Sequence, residues 1–313
     1  MKAMIIGAAG FVGPYLAAAI QNNLMCEVVC TKLEHENLAI PGVTTRTLDI
    51  MEEDDIYNLL VDEHPAYIFH MAAQSSVAYS WRNPSLTVNV NVKGALNLLN
   101  AIRRLDYSPR VLIAGSGEEY GYVTPEDVPI REDCFLRPGN IYAATKVCQN
   151  QMATIYAQAY HMQLIMTRSF NHMGPGQTTT FVMGDFTSQV IKIEKGLQEP
   201  VIKVGNLAAR RDFTDVRDVV NAYTALAQFG IAGETYNVGT GKALEIRYFL
   251  EQIIKQANFD IRIEVDPTKI RPVDVPIIEP DITKIHNATG WKPVISLEQT
   301  ISDMLDYWRS HGE

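Results

Sequence analysis

The stretch Lys2-Ala3-Met4-Ile5-Ile6-Gly7-Ala8-Ala9-Gly10-Phe11-Val12-Gly13 decides the fold. The apolar run Ala3–Ile6 reads as a short buried parallel strand. Gly7, Gly10 and Gly13 follow it directly, and a helical pattern continues through Tyr15, Leu16 and Ile20. A glycine fingerprint is credible in this strand–turn–helix setting. Gly7 permits the tight turn, Gly10 admits a pyrophosphate close to the backbone, and Gly13 lets helix and strand pack closely. The helix N-terminus then faces the phosphates. A secretory signal is the competing reading of Lys2 and the small residues Ala17–Ala19, but glycines interrupt the apolar core it requires.

Further strands are expected at Glu27–Thr31, Thr44–Leu48, Ala66–Met71, Arg110–Ala114 and Gln163–Arg168, with helical patterns between most of them. This alternation predicts an α/β doubly wound parallel sheet of the Rossmann kind. Ligands bind such sheets at the carboxyl ends of the strands. Those ends carry Gly7, Asp49, His70 to Ala73, Ser116 and Ser169 to Asn171. Beyond Asn171 helices are expected over Met183–Lys195, Val216–Phe229, Ile246–Asn258 and Leu297–Arg309, with a strand at Glu234–Val238 returning to the main sheet. The expected division is a dinucleotide-binding domain over 1–169, with a returning segment near 211–240, and a smaller, interleaved α/β substrate domain over 170–313.

Tyr142-Ala-Ala-Thr-Lys146 lies downstream of Ser116. A spacing of four puts Tyr142 and Lys146 on one helix face. A lysine ammonium favours the phenolate and is expected to lower the tyrosine pKa. Tyr142 would then exchange a proton with a carbonyl or hydroxyl while Ser116 orients the same oxygen. Lys32, at the end of the second strand, suits a 2′-phosphate, and Glu34 reaches a ribose. The cofactor expected is NADP(H), with NAD(H) also accommodated. Asp49 reads either as a cap for the next helix or as an adenine contact.

The chain has 313 residues, 47% of them hydrophobic, and a net charge of −9. The absence of a basic block disfavours nucleic acid as a partner. No apolar run of about 18 residues suggests a membrane span. Cys26, Cys30, Cys134 and Cys148 show no Cys-x-x-Cys spacing and read as reduced thiols of a cytoplasmic protein. The histidines lack ligand spacing, so no metal is expected.

Together these motifs resemble the extended short-chain dehydrogenase/reductase family over nearly the whole chain. The resemblance rests on Gly7-x-x-Gly10-x-x-Gly13, His70-Met71-Ala72-Ala73, Asn89 and Asn91 before Gly94, Ser116, Tyr142-x-x-x-Lys146, Arg168-x-Phe170-Asn171, Gly174-Pro175-Gly176 and Arg211-Asp212-Phe213. Arg271-Pro272-Val273-Asp274-Val275 and Gly290-Trp291-Lys292-Pro293 look like the branch that modifies GDP-mannose, where the aspartate is commonly glutamate. The resemblance implies cofactor contacts from Phe11, Val12, Ile50, Ala72, Ala73, Phe170 and His172. It implies nucleotide-sugar contacts from Ser75, Asn171, Val182, Arg211, Arg271 and Asp274, the two arginines clamping the diphosphate. It also implies a homodimer through a four-helix seam of helices near Gly94–Leu105 and Tyr142–Tyr160.

The activity implied is reduction of the 4-keto group of GDP-4-dehydro-6-deoxy-D-mannose. Ser116-Gly117-Glu118 keeps a rival open, because a glutamate at this place is the base of related 4,6-dehydratases. Two further rivals on the same fold are a nucleotide-sugar 4-epimerase and a non-catalytic cofactor sensor.

Overall fold

A computed structural model describes residues 1–257, 260–269 and 275–311 of the chain. Its strands are β1 (Lys2–Ile6), β2 (Glu27–Lys32), β3 (Thr44–Thr47), β4 (Tyr67–His70), β5 (Arg110–Ser116), β6 (Leu164–Ser169), β7 (Asn171–Met173), β8 (Val201–Val204), β9 (Arg210–Arg211), β10 (Phe213–Asp215), β11 (Thr235–Val238), β12 (Leu244–Glu245), β13 (Arg262–Val265) and β14 (Ile277–Ile278). The helices are α1 (Gly13–Asn23), α2 (Glu53–Glu63), α3 (Val77–Arg82), α4 (Pro84–Val88), α5 (Gly94–Arg103), α6 (Ile141–Tyr160), α7 (Val182–Glu194), α8 (Val216–Phe229), α9 (Ile246–Ala257), α10 (Thr283–Thr289) and α11 (Leu297–His311).

Seven strands form one sheet in the order β11-β6-β5-β4-β1-β2-β3, and every pairing in it is parallel. The chain turns back between β1 and β4, the switch point at which such sheets bind ligands. Ala3, Met4, Ile5 and Ile6 are all fully buried. The period of two sends Ala3 and Ile5 into the core under α1 and α8, and Met4 and Ile6 into the core under α2, α5 and α6. A strand covered on both faces is therefore an unbroken apolar run. The strand at the β3 edge, Thr44-Thr45-Arg46-Thr47, is polar. That composition discourages pairing with another chain.

Past Ser169 a third core joins Phe186 and Val190 of α7, Phe249 and Ile253 of α9, and Ile301 and Leu305 of α11. The expected returning strand is present: β11 pairs with β6, Thr235 opposite Met166. Residues 89–93 form a π-helix between α4 and α5. The buried Asn91 side chain in it donates to the Gln74 carbonyl at 3.0 Å and to Thr145 Oγ1 at 3.0 Å. Wide helical turns of this kind often mark functional sites, and here one braces the helix that carries Tyr142 and Lys146.

The start of α1 depends on a glycine. A side chain at Gly13 would overlap the Ala8 carbonyl. Gly13→Val should lower stability by about 1–3 kcal/mol, the cost of overpacking. The measurement is the chemical denaturation midpoint, and an unchanged midpoint would contradict the packing assigned to this turn.

Candidate active site

The turn after β1 has the features a dinucleotide phosphate needs. Gly7 has a φ of +85°, and a Cβ there would meet the Ala72 backbone at 2.5 Å. Its N–H donates to Thr31 Oγ1 at 3.1 Å. A Cβ placed on Gly10 meets nothing within 4 Å, so the backbone there stands open to a ligand. Helix α1 begins without a side-chain cap and without an acid in its first turn. The Gly13 N–H is taken by the Gly10 carbonyl and Pro14 has none, so what this helix end offers an anion is chiefly the positive end of its dipole. These residues fit a dinucleotide phosphate.

The neighbouring cofactor candidates spread along the same edge. Phe11 stacks on His172 with ring centroids 6.2 Å apart. Val12 occupies the N-cap position of α1. Lys32 Nζ donates to the carbonyls of Leu33 at 3.1 Å and Glu34 at 3.4 Å, within its own loop. Asp49 is exposed and accepts from the Met51 N–H at 2.9 Å, a turn contact ahead of α2, whose N-cap position is Glu52, so Asp49 does not cap that helix. Ile50 is buried in the core, where a Cβ on Gly94 would meet its Cδ1 at 2.5 Å. Ala72 donates its N–H to the Ile6 carbonyl at 2.8 Å, and Ala73 follows it, half-buried.

Ser116, Tyr142 and Lys146 are brought together. Ser116 ends β5, while Tyr142 and Lys146 sit one turn apart on α6; all three are buried. Lys146 Nζ donates to the Ala114 carbonyl at 2.8 Å and to Gln149 Oε1 at 3.0 Å. Gln149 Nε2 donates to the same carbonyl at 3.1 Å. Burial lowers the Lys146 ammonium from 10.5 to about 8, with Glu119 pulling it back up.

The phenol does not behave as the sequence suggests. Burial raises Tyr142 above its ordinary value, hydrogen bonding with Ser116 opposes the rise, and the charges of Glu118 and Glu119 add to it. The expected lowering by Lys146 is therefore overturned: desolvation of the phenolate outweighs the ammonium, whose nearest partners are a carbonyl and an amide. Tyr142 is thus protonated at neutral pH, as a proton donor must be, while desolvation makes it a weaker acid.

Glu118 lies beside Ser116. It is half-buried, its N–H donates to Ser116 Oγ at 3.2 Å, and its Oε2 accepts from Asn140 Nδ2 at 3.0 Å. Ser116, Gly117 and Glu118 line a small pocket with Ser169, Phe170, Asn171 and Ile278. Phe170 is buried, and burial lowers His172, opposed by the Phe170 carbonyl. Asn171 is exposed on β7, Ser75 is exposed after β4, and Val182 opens α7. Arg211 donates to the Val275 carbonyl at 2.7 Å, at the margin of the segment that carries Arg271 and Asp274. Those two residues lie outside the described residues. Among the described residues no cluster of side chains suits a metal ion. No described helix is long and apolar enough to cross a membrane.

Two side chains of the site, Asn140 and Gln149, escaped the sequence reading. Asn140 caps α6, accepting from the Ala143 N–H at 2.8 Å, and holds Glu118. Its signal is an Asn immediately before a helix. Gln149 shares the Ala114 carbonyl with Lys146 from the next turn of the same helix face. The His70 ring, at the end of β4, is buried with both nitrogens unpartnered. Burial and the Lys146 charge hold it down to about 3, so it is neutral.

A family model described as GDP-mannose 4,6 dehydratase matches residues 4–304. GDP-6-deoxy-D-mannose reductase of Pseudomonas aeruginosa is 32% identical over 309 residues, covering 99% of this chain and 97% of that one. GDP-mannose 4,6-dehydratase of Yersinia enterocolitica is 27% identical, covering 82% of this chain and 76% of that one. Among solved structures, RMD from Pseudomonas aeruginosa complexed with NADPH aligns with a TM-score of 0.87 at 31% identity, covering 99% of each chain. UDP-glucose 4-epimerase of Thermus thermophilus in complex with NAD aligns with a TM-score of 0.87 at 28% identity, covering 99% of this chain and all of that one.

The buried lysine leads to a stability prediction. Below pH 8 the folded protein carries a desolvated ammonium, which is a cost. Between 8 and 10.5 the fold releases that proton while the unfolded chain keeps it, so this cost fades as pH rises. Lys146→Met should therefore be more stable than wild type by about 1–3 kcal/mol below pH 8, with the gap closing toward pH 10.5. Urea denaturation of ligand-free protein at about pH 7 and about pH 10 measures this. A variant less stable at neutral pH, or a gap that widens with pH, would be inconsistent with it.

Proposed function

The chain belongs to the GDP-mannose 4,6 dehydratase family, within the extended short-chain dehydrogenase/reductases, and from that membership we propose that it reduces the 4-keto group of GDP-4-dehydro-6-deoxy-D-mannose to give GDP-6-deoxy-D-mannose, also called GDP-D-rhamnose. The observation that carries this choice is the end-to-end match to a reductase, where the dehydratase match leaves part of each chain uncovered.

Bound NADPH or NADH supplies the hydride that reaches carbon 4. Tyr142 donates the proton to the oxygen on that carbon, so hydride and proton together complete the alcohol. Tyr142 is protonated at neutral pH, so the proton is present to be given. Ser116 hydrogen-bonds the same oxygen and aims it at the phenol. The Lys146 ammonium, fixed on the Ala114 carbonyl, favours the phenolate that forms and holds the cofactor ribose.

The sheet formed by residues 1–169 and the returning strand takes the cofactor at the Gly7–Gly13 turn. The part built on 170–313 takes the GDP moiety, with Asn171, Arg211, Arg271 and Asp274 toward the nucleotide diphosphate. Two copies associate through α5 and α6, the latter leaving Ile155 and Tyr160 exposed. A 4,6-dehydratase is the second reading, favoured by the position of Glu118 in the pocket with Ser116.

Tyr142→Phe should slow NADPH-dependent reduction of the 4-keto sugar at least about a hundredfold, the lower range for lost acid–base catalysis. Glu118→Gln should keep most of that rate, because reduction removes no carbon-bound proton from the substrate. Product identification by NMR decides the matter. Wild-type conversion of GDP-mannose to the keto sugar, lost in Glu118→Gln, would establish the dehydratase instead.

Lys32→Ala should weaken NADPH more than NADH, since only NADPH carries the 2′-phosphate. Fluorescence titration of both cofactors checks this, and equal losses would remove Lys32 from the cofactor site.

A further inference from the structure

The reaction proposed above gives no role to Glu119, whose side chain is completely buried directly beneath the site. Its Oε1 accepts from the Ser116 N–H at 2.9 Å and from Asn150 Nδ2 at 2.8 Å. Its Oε2 accepts from the same amide at 2.9 Å and from Arg168 Nε at 3.0 Å. Burial raises the Glu119 carboxyl, but every partner is a donor and one is the Arg168 guanidinium, and these oppose the rise in favour of the anion. A Cβ on Gly115 would meet Glu119 Oε1 and Asn150 Nδ2 at 2.5 Å, so the carboxylate is closely confined.

We propose that Glu119 is a positioning residue for the reduction: it fixes the Ser116 turn through the backbone and supplies the negative charge that balances the Lys146 ammonium. The proposal rests on the assignment of Ser116, Tyr142 and Lys146 made above. Glu119 stands three places after Ser116, and the pair forms a capping box around the short 3-10 turn Gly117–Tyr120. The box sets the direction in which Ser116 leaves β5. Arg168 anchors the far side, donating Nη1 to Tyr120 Oη at 3.1 Å and to the Glu132 carbonyl at 3.0 Å.

The charges around the two reacting groups are few. Lys146 faces Glu119 and His70. Tyr142 faces Glu118, Glu119 and Tyr223. Arg168 faces Glu119 and Tyr120. His70 is neutral and Tyr223 is raised by burial. Glu119 pulls Lys146 up against burial and raises Tyr142. Reduction needs the ammonium charged and the phenol protonated. Removing the Glu119 charge lowers Lys146 further from about 8, so the ammonium, and with it activity, is lost at lower pH; Tyr142 stays protonated throughout.

A structural ion pair would cost stability or turnover but leave the pH dependence in place. The test is Glu119→Gln, with kcat and NADPH affinity measured from about pH 6 to about pH 10 using GDP-4-dehydro-6-deoxy-D-mannose. The expected result is a basic limb, in both turnover and NADPH binding, displaced downward by about one pH unit, the low end for loss of a nearby opposite charge. Glu119→Gln/Asn150→Asp moves the carboxylate across a 2.8 Å hydrogen bond and should restore the limb. Limbs that stay where the wild type has them in Glu119→Gln would overturn the proposal. So would collapse of the fold in both variants, which would make Glu119 a stability residue. A wild type that fails to reduce the keto sugar sinks the reaction assignment instead, and the NADPH binding limb still judges Glu119.

Discussion

The parallel pairing of β5 with β6 runs from Val111 opposite Leu164 to Ser116 opposite Ser169. Its interior half is apolar and fully buried, with Leu112 facing one core and Val111 and Ile113 the other. Its carboxyl half is where polar groups begin, and they are buried too. Ser116, Arg168 and Ser169 share this end of the sheet, with the Glu119 turn immediately beyond it. Register thus converts a packing requirement into a chemical one. A slip of one residue would turn every side chain to the opposite face and would separate Arg168 from the carboxylate it meets.

Many of the buried polar groups around the site bond to backbone and side-chain amides. The Ala114 carbonyl receives both Lys146 and Gln149. Asn91 ties the loop after β4 to Thr145. Asn237 on β11 accepts from Tyr120 at 2.6 Å and donates to the carbonyls of Ile130 and Asp281. The candidate site is therefore wired into three distant segments through side chains with two-sided hydrogen-bonding capacity. A polar network of this sort rigidifies what it connects, which is what a proton donor aimed at a single oxygen requires.

Much of this was legible in the sequence where the determinant is local. The Gly7–Gly13 turn is dictated by backbone sterics within a dozen residues. The inner strands of the seven-stranded sheet were readable because an unbroken apolar run has few alternatives in a parallel sheet, whereas the short strands beyond Ser169 other than β11 were not. Helix α8 follows the expected span, and β11 joins the sheet as its position suggested. What stayed hidden is set by distance or by burial. Arg168 and Glu119 are 49 residues apart in the chain, and neither sequence neighbourhood announces the other. The direction of the Tyr142 shift follows from desolvation, which no spacing of Tyr and Lys reveals. Asp49 shows another limit: its position suggested a cap for the next helix, yet it bonds to Met51 in a turn ahead of that helix.

The late arrival of β11 has a consequence for how the chain is made. The outer edge of β6 is completed by residues 235–238, far downstream of the six strands that precede them in the sheet. While synthesis proceeds, β6 carries unpaired N–H and C=O groups on Leu164–Ser169, a wholly buried strand in the finished fold. An apolar strand with an open edge is a template for misassembly between nascent chains. Helix α8, which covers that side of the sheet and leads directly to β11, emerges first. Translation order thus places a shield over the exposed face before the missing strand closes the edge.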